Sequence, residues 1–203
     1  MPETTPVGAV IVEPRSLFCD AIGVCLTKGG YVVLSQAQNI DEAMCQADSL
    51  HPDLMIIGPQ LTEESLVVCR EMTKRLSTLR IIIFTAHADE ALFRADAAYA
   101  GVAACLRPES TDEECLAVVR KVMAGQQFFS DGILSLAFQP IGLTPREREV
   151  LKLMAEGKTD QQIADMLNLK LPTVHNHTQQ ILEKLRVHHR QEAVWRARHR
   201  GLV

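Results

Sequence analysis

The stretch LTPREREVLKLMAEGKTDQQIADMLNLKLPTVHNHTQQILEKL, residues 143–185, decides the fold of the last third of the chain. It contains two helix starts in which a threonine stands three residues before a glutamate or glutamine that can bond back to its backbone. These capping boxes pair Thr144 with Glu147 and Thr159 with Gln162. Short capped helices joined by tight turns are typical of a helix-turn-helix unit, and the pattern predicts one here.

The third helix of this unit is predicted from Pro172 to Leu185 and has two distinct faces. Val174, Ile181 and Leu185 are seven and four residues apart, which places them on one apolar stripe together with Thr178. The opposite face carries the polar side chains His175, Asn176 and Gln179. A fourth helix is predicted over residues 190–200, so the unit is all-α with four helices.

Charge is divided unevenly along the 203 residues. Residues 1–142 carry 10 Lys and Arg against 18 Asp and Glu, whereas residues 143–203 carry 11 against 7. The first part therefore has a net charge of −8 and the second of +4, within a total of −4. An acidic part followed by a basic one indicates two domains with different partners, and the basic helical part suits nucleic acid.

The first 125 residues alternate apolar runs with helical patterns, which predicts an α/β domain. The predicted strands are Val7–Val12, Tyr31–Ser35, Asp53–Ile57, Arg80–Thr85 and Gly101–Leu106. Nearly continuous apolar strands between helices indicate a parallel sheet covered on both faces, with its functional site at the carboxyl ends of the strands. Residues 126–142 are predicted as a linker with a short helical piece, and residues 143–203 form the second domain.

Composition and spacing exclude several other classes. The apolar fraction of 47% and charged fraction of 23% are ordinary for a globular protein, and the apolar runs are too short to span a bilayer. No secretory signal is visible, so we expect a cytoplasmic protein. The six cysteines show no CxxC spacing, and neither a phosphate-binding glycine loop nor a catalytic triad is present. We therefore expect no cofactor, no metal and no enzymatic activity.

Residues 143–203 resemble the DNA-binding domain of the LuxR/NarL/FixJ family. The residues that carry the resemblance are LTPREREVLKLMAEGK, QQIADMLNLK, TVHNH, ILEKL and the final GLV. Residues 1–125 look like the receiver domain of two-component response regulators. This resemblance rests on the sequential order of the strands and helices, the segment from Pro52 to Pro59, Thr85 and the turn at Arg107-Pro108. The resemblance implies a flavodoxin-like (βα)5 receiver followed by a LuxR-type helix-turn-helix domain.

The resemblance also implies how double-stranded DNA is contacted. It assigns base contacts to His175, Asn176 and Gln179, and because Asn and Gln pair with adenine, we expect an A·T-leaning half-site. Candidate phosphate contacts are Lys158, Lys170, Thr173, His177 and Lys184. A packing role for His177 is an equal alternative, and Glu147 is interpreted as a structural capping residue.

The receiver's phosphorylation site is incomplete in this sequence. By resemblance, the phosphoacceptor aspartate falls on Gly58, which has no side chain to modify. The acidic pair that would hold magnesium falls on Glu13 and Pro14, and the lysine that receivers carry on the fifth strand falls on Arg107. Only the hydroxyl residue, Thr85, matches. We therefore expect a degenerate receiver that does not accept a phosphoryl group.

Three acidic residues are considered as stand-ins for the missing aspartate and are disfavoured. Asp53 is at the opposite end of its strand, roughly 16 Å from Gly58. Glu63 and Glu64 lie beyond the loop, where helix capping is the simpler role. Without phosphorylation, three means of regulation are open: a protein partner or dimer, a small ligand near Gly58, or cysteine oxidation. Oxidation is disfavoured because most cysteines fall at apolar helical positions.

The sequence thus predicts a sequence-specific transcription regulator that acts without aspartyl phosphorylation and binds an inverted repeat as a homodimer. An alternative stays open, in which the receiver-like domain titrates another regulator and DNA binding is secondary. A stable hetero-complex and DNA affinity without sequence preference would favour that alternative.

Overall fold

A computed structural model of the chain describes residues 6–60, 65–126 and 128–203. Their contacts divide the molecule into two compact units, with the division between Phe138 and Gln139. Each unit contains its own cluster of buried apolar side chains. Each unit therefore meets the basic requirement for a domain.

The first unit is built on a parallel sheet with the strand order β2-β1-β3-β4-β5. Its strands are β1 (Gly8–Val12), β2 (Val32–Ala37), β3 (Leu54–Ile57), β4 (Arg80–Phe84) and β5 (Ala104–Leu106). The intervening helices are α1 (Ser16–Lys28), α2 (Ile40–Leu50), α3 (Ser65–Arg75), α4 (Ala91–Tyr99) and α5 (Asp112–Met123). The predicted flavodoxin-like architecture is confirmed.

Burial along the strands explains why the apolar runs are continuous. Every residue of β1 and β3 is buried, because these strands lie inside the sheet and helices cover both faces. Strand β2 lies at the edge and is more exposed. Its register with β1 shifts between Ala9 and Val10, so the pairing of these two strands is irregular there.

Helix α5 begins directly after Thr111. Thr111, and not Ser110, is the N-cap: its hydroxyl accepts from the N–H of Glu114, whose carboxylate accepts from the N–H of Thr111. Ser110 belongs instead to the preceding turn, where its N–H donates to the carbonyl of Arg107. Both residues are followed by acids, so the local sequence does not distinguish them.

The stretch 126–142, predicted as a linker, contains helix α6 (Asp131–Phe138), which packs against α4. Ile133 and Ala137 are buried on α6, and Phe129 just before it is buried as well. The guanidinium of Arg94 on α4 lies 5.7 Å from the centre of the Phe129 ring. Because these contacts belong to the first unit, that unit extends to Phe138 and does not end at residue 125.

The second unit contains α7 (Pro145–Ala155), α8 (Asp160–Leu167), α9 (Leu171–Leu185) and α10 (Arg190–His199). Both predicted capping boxes are confirmed. Thr144 and Glu147 bond reciprocally at the start of α7, and Thr159 and Gln162 do so at the start of α8. The apolar faces of the helices meet in one core, which includes the fully buried side chains of Val150, Leu151, Ile163, Val174 and Ile181.

Among the residues that the structure describes, no helix is both long enough and apolar enough to cross a membrane.

Candidate functional site

Gly58 lies directly after β3, at the carboxyl edge of the sheet where a receiver would carry its phosphoacceptor. It is buried, and its N–H donates to the carbonyl of Val12 on β1 at 2.8 Å. A Cβ atom at this position would lie 2.7 Å from the Cβ of Glu13, and closer still to the carboxylate oxygen Oε2. Glycine is therefore the residue that fits here while Glu13 keeps its position.

Glu13 fills the space beside Gly58 with a side chain that has no exposed surface. One carboxylate oxygen, Oε1, accepts from Nε of Arg15 at 2.7 Å and from its backbone N–H at 3.3 Å. The other, Oε2, accepts from the backbone N–H of Gln60 at 3.1 Å. The carboxylate thus ties the start of α1 to the loop after β3, and Arg15 balances its charge.

The other predicted pocket residues are engaged in local contacts. Thr85 follows β4 and is buried, and its hydroxyl accepts from the N–H of His87 at 3.2 Å. Arg107 is exposed, with its guanidinium 3.7 Å from Asp89, and Pro14 is exposed too. The structure therefore brings Glu13 and Gly58 into contact, whereas Arg107 pairs with a different acid.

Of the three acidic residues considered as replacements for the missing aspartate, the one that the structure describes lies away from Gly58. Asp53 precedes β3, and its carboxylate accepts from the N–H of Gly8 at 2.9 Å, at the amino end of the sheet. Glu63 and Glu64 lie outside the residues that the structure describes. Within the described ranges, no group of three or more His, Cys, Asp or Glu side chains is arranged to hold a metal ion.

The two faces of α9 are the second candidate site. Val174, Ile181 and Leu185 are buried, which confirms the predicted apolar stripe. His175, Asn176 and Gln179 are exposed on the other side. The amino half of the helix thus offers three polar side chains to the surroundings, which is the arrangement that a recognition helix needs to reach base edges.

His175 has a partner that the sequence does not reveal. Its Nε2 lies 3.3 Å from Oδ2 of Asp160, the first residue of α8. The other oxygen of Asp160 accepts from the guanidinium of Arg190 on α10, which also donates to the carbonyl of Lys158. Asp160 therefore joins three helices beside the predicted base-reading surface, and the residues involved are too far apart in sequence for spacing to disclose this.

Lys184, predicted as a phosphate contact, forms an ion pair inside the second unit. Its ammonium group lies 2.8 and 2.7 Å from the two carboxylate oxygens of Glu147, whose side chain is 2% exposed. The charge is already engaged inside the unit, which argues against a phosphate contact by this lysine. The interpretation of Glu147 as a structural capping residue agrees with these bonds.

Glu147 is stabilised as an anion. Burial alone raises the pKa of this carboxyl group, but hydrogen bonds from Lys184 and Thr144 outweigh it, and the pKa lies below its ordinary 4.5. Glu147 therefore stays charged at neutral pH, and the pair links α7 to the end of α9.

The remaining predicted phosphate contacts differ in exposure. Lys170 is exposed at the N-cap of α9 and provides no side-chain cap. Lys158 and Thr173 are half-buried. His177 is half-buried as well, and its Nδ1 is buried without a hydrogen-bond partner. Lys170 is thus the most accessible of this set.

The cysteines are placed as small apolar residues. Cys19, Cys25, Cys69, Cys105 and Cys115 are buried, and Cys45 on α2 is exposed. Burial raises the pKa of the Cys69, Cys105 and Cys115 thiols to about 12. Because the thiolate is the reactive form, these positions are poorly suited to redox sensing.

Two protein-family models match the chain. The model of bacterial regulatory proteins of the luxR family matches residues 142–197. The model of the response regulator receiver domain matches residues 9–120. Together they account for both compact units.

Curated relatives match along most of the chain. It is 30% identical over 197 residues to the transcriptional regulatory protein DesR of Bacillus subtilis, covering 96% of this chain and 98% of the relative. It is 29% identical over 174 residues to the DNA-binding transcriptional activator DevR/DosR of Mycobacterium tuberculosis, covering 79% of each. Both relatives are named as regulators of transcription.

Solved structures share the fold at low sequence identity. RcsB from Salmonella enterica serovar Typhimurium, bound to promoter P1flhDC in the presence of phosphomimetic BeF3-, matches with a TM-score of 0.74 at 16% identity. The match covers 96% of this chain and 99% of that one. A structure of two RcsB dimers bound to two parallel DNAs matches with a TM-score of 0.71 at 16% identity, covering 98% and 100%.

Proposed function

This chain belongs to the LuxR/NarL family of response regulators as a DNA-binding transcription factor, and we propose that it acts without aspartyl phosphorylation. We propose further that it binds an inverted repeat in double-stranded DNA as a homodimer. The contact between Glu13 and Gly58 is the observation that carries the first proposal.

Phosphorylation independence is supported by chemistry and by space. Gly58 offers no carboxylate to accept a phosphoryl group, and Glu13 occupies the volume beside it. The Glu13 carboxylate is already bonded to Arg15 and to the N–H of Gln60. Magnesium prefers several oxygen ligands in octahedral geometry, and Pro14 supplies no carboxylate beside Glu13.

Sequence-specific DNA binding is supported by the exposed face of α9. Asn176 and Gln179 carry amide groups that can pair bidentately with adenine in the major groove. Lys170, at the amino end of α9, is suited to a phosphate contact that positions the helix. The core stripe on the opposite face anchors α9 to the rest of the unit.

Dimeric binding is supported by the geometry of helix-turn-helix proteins and by one of the matched folds. A two-fold dimer matches a palindromic site, and linking two weak half-site contacts raises the effective concentration of the second. RcsB, whose fold this chain shares, has been captured as dimers on DNA.

Regulation then falls to something other than phosphate at the receiver. The space near Gly58 is taken up by Glu13, which argues against a small ligand there. The raised pKa values of buried thiols argue against oxidation. A protein partner or a second copy of the chain is the means of control that we retain.

Two experiments test this function. The first is an in vitro selection from random duplex DNA with the full-length chain and with residues 139–203, without a phosphate donor. We expect both to enrich a two-fold motif. Enrichment by the fragment alone would mean that the first unit masks α9, and enrichment by neither would favour the titrating role.

The second experiment is phosphotransfer from labelled acetyl phosphate in the presence of Mg²⁺. We expect no stable label in the first unit. Mg²⁺-dependent label that resists denaturation would contradict the proposal of phosphorylation independence.

A further inference from the structure

One edge of the sheet in the first unit is exposed. The sheet ends in two edge strands, β2 and β5. Every residue of β5 is buried, whereas Val32, Leu34 and Gln36 of β2 are exposed. Strand β2, with the sequence VVLSQA, contains no charged residue and no proline, the residues that usually keep an edge strand from pairing with another chain. The β2 edge is therefore accessible to a further strand.

Helix α1 adds apolar surface beside this edge. Leu17 and Val24 on α1 are 81% and 55% exposed, and Val32 and Leu34 on β2 are each 42% exposed. These are four of the nine large apolar side chains that are exposed among the described residues. A groove of about 610 Å³ lies between α1 and β2 and is lined by both. Exposed apolar surface that is concentrated in one place is typical of a protein interface.

The charges on α1 are arranged symmetrically about Val24. Asp20 stands four residues before Val24 and Lys28 four residues after it, and all three line the groove. Four residues make about one helical turn, so each charge lies about 6 Å from Val24 along the helix axis. In an antiparallel pair of α1 helices centred on Val24, Asp20 of each copy would therefore face Lys28 of the other. This face of α1 is complementary to itself.

Strand β2 has the same centre as this face of α1. The two elements run in opposite directions, because α1 is the crossover between the parallel strands β1 and β2. Lys28 is thus close to the start of β2, whereas Asp20 lines the groove together with Gln36 near its end. Gln36 is about 5 Å from the midpoint of β2, similar to the distance of each charge from Val24. One two-fold axis therefore suits both elements.

We propose that the β2 edge and the exposed face of α1 form a homodimer interface of the first unit, in which two β2 strands pair antiparallel about a two-fold axis. The two sheets then join into one of ten strands, within the range that open sheets reach. Because the axis is perpendicular to the sheet, the two α1 helices lie side by side on one face. The inference rests on the homodimer in the proposed function and names a surface for it.

A second copy of the chain fits this surface because the surface supplies its own complement. The β2 edge meets an identical edge, the apolar side chains of α1 cover each other, and Asp20 forms an ion pair with Lys28 of the second copy. Each feature of the surface thus has its counterpart in the same chain, which is the condition for a two-fold interface.

Lys28 can take part in this contact although it has a neighbour in its own chain. Its ammonium group lies 3.3 Å from a carboxylate oxygen of Asp112 on α5, and both side chains are more than half exposed. Exposed pairs of this kind contribute little to stability. Turning Lys28 toward Asp20 of a second copy therefore costs little.

The test measures self-association of the full-length chain without DNA, so that it reports on the interface and not on the recognition helix. Sedimentation equilibrium gives the dimer Kd of the wild type, of Asp20→Lys, of Lys28→Asp and of the double variant. We expect each single reversal to weaken the dimer about tenfold, because two symmetry-related attractive pairs become repulsive at once. The double variant restores both pairs with exchanged sign, and its Kd should return to within about twofold of the wild-type value.

Controls separate the interface from local effects. Asp112→Asn removes the pair that Lys28 makes within the chain and should leave the dimer Kd unchanged. Val24→Lys places two like charges at the centre of the interface and should abolish dimerisation. Val67→Lys, at an exposed apolar position on α3, should not affect it. Circular dichroism shows whether each variant is folded.

Amide hydrogen exchange tests the strand pairing itself. Exchange in residues 31–38 should slow as the protein concentration rises through the dimer Kd, because pairing gives the outward N–H groups of the edge strand new acceptors. Residues 103–107, around the other edge strand, should exchange at the same rate at every concentration.

The outcomes distinguish the inference from the proposed function. A chain that stays monomeric at the highest concentration tested, a dimer whose Kd ignores both charge reversals, or protection that excludes β2 would each overturn the inference. An enriched two-fold motif would still support the regulator in these cases, with the dimer contact elsewhere. A dimer that responds to the charge reversals but enriches no motif would support the interface and overturn the DNA-binding function.

Discussion

The side chain of Glu13 occupies the space that any side chain on Gly58 would need: a Cβ at residue 58 would lie 2.7 Å from the Cβ of Glu13. Cβ atoms in proteins almost never lie this close to another heavy atom. Because the Cβ of Glu13 is fixed to its backbone and cannot rotate away, such a contact would require the backbone to move. The two residues are therefore mutually dependent, although 45 positions separate them in sequence.

Replacing Gly58 with aspartate should not restore phosphorylation. The new carboxylate would collide with Glu13, and overpacking of this kind costs about 1–3 kcal/mol of stability in the first unit. Urea unfolding of the first unit and acetyl phosphate labelling measure the two effects. Gly23→Ala is the matched control, since its Cβ would lie 3.9 Å from the nearest atoms and helix α1 gains from it by about 0.5–1 kcal/mol. A labelled, fully stable Gly58→Asp variant would contradict this prediction.

Removing the charge of Glu147 should weaken the second unit. Glu147→Gln gives up a hydrogen-bonded ion pair with Lys184, and we expect a loss of about 1.5–3 kcal/mol at neutral pH. Glu149→Gln on the same helix is the control, because Glu149 is exposed and a carboxylate in such a solvent-exposed pair contributes little. Denaturant unfolding of residues 139–203 measures both variants.

The same pair predicts the direction of a pH dependence. The pKa of folded Glu147 lies below the ordinary 4.5, so its stabilising contribution is fully present above that pH and is lost as pH falls through the folded value. The stability difference between wild type and Glu147→Gln should therefore shrink on acidification below about pH 4.5. A difference that stays constant down to acid unfolding would show that the charge of Glu147 does not contribute.

A thiol reagent should detect one fast-reacting cysteine in the native chain. Cys45 is exposed, whereas the other five are buried, three of them with pKa values raised to about 12 by burial. Absorbance titration should give one equivalent quickly and the rest only in denaturant, and Cys45→Ser should remove the fast phase. Peroxide should leave DNA binding of Cys45→Ser unchanged, and a loss of binding there would revive the redox alternative.

Base-reading and phosphate-binding residues should respond differently to substitution. Asn176→Ala should cost about 1–3 kcal/mol on the preferred site and relax specificity at one position. Lys170→Ala should weaken binding evenly across sequences and reduce the slope of log K against log salt by about 1. Gln191→Ala, at an exposed position of α10, is the control. Competition binding at several salt concentrations distinguishes the two patterns, and identical behaviour of both variants would contradict the assignment.

Features that depend on neighbouring residues could be predicted from the sequence. The alternation of strands and helices gave the sheet, and the boxes at Thr144 and Thr159 marked two helix starts correctly because capping is a local interaction. At Ser110 and Thr111 the same local rule allowed two starts, and the turn that includes Arg107 decided between them. Helix α6 was placed only as a short piece of linker, since its packing on α4 depends on a distant surface.

Features that join distant residues could not be predicted in the same way. The sequence shows that Gly58 has no side chain to accept a phosphoryl group, but it does not show that the Glu13 side chain fills the space beside Gly58. Lys184 looked available for a phosphate because its partner Glu147 lies 37 residues away. The contact of Asp160 with His175 and Arg190 likewise exists only once three helices have packed.

The contact between Glu13 and Gly58 has a consequence for any attempt to redesign this receiver. A mutation that restores an acidic residue at position 58 meets the Glu13 side chain, and a mutation that removes Glu13 first leaves a buried void and an unsatisfied N–H on Gln60. Neither change on its own therefore gives a vacant acceptor position. Residues 13 and 58 behave as one unit of design, and an acceptor at position 58 requires that the side chain at position 13 be moved as well.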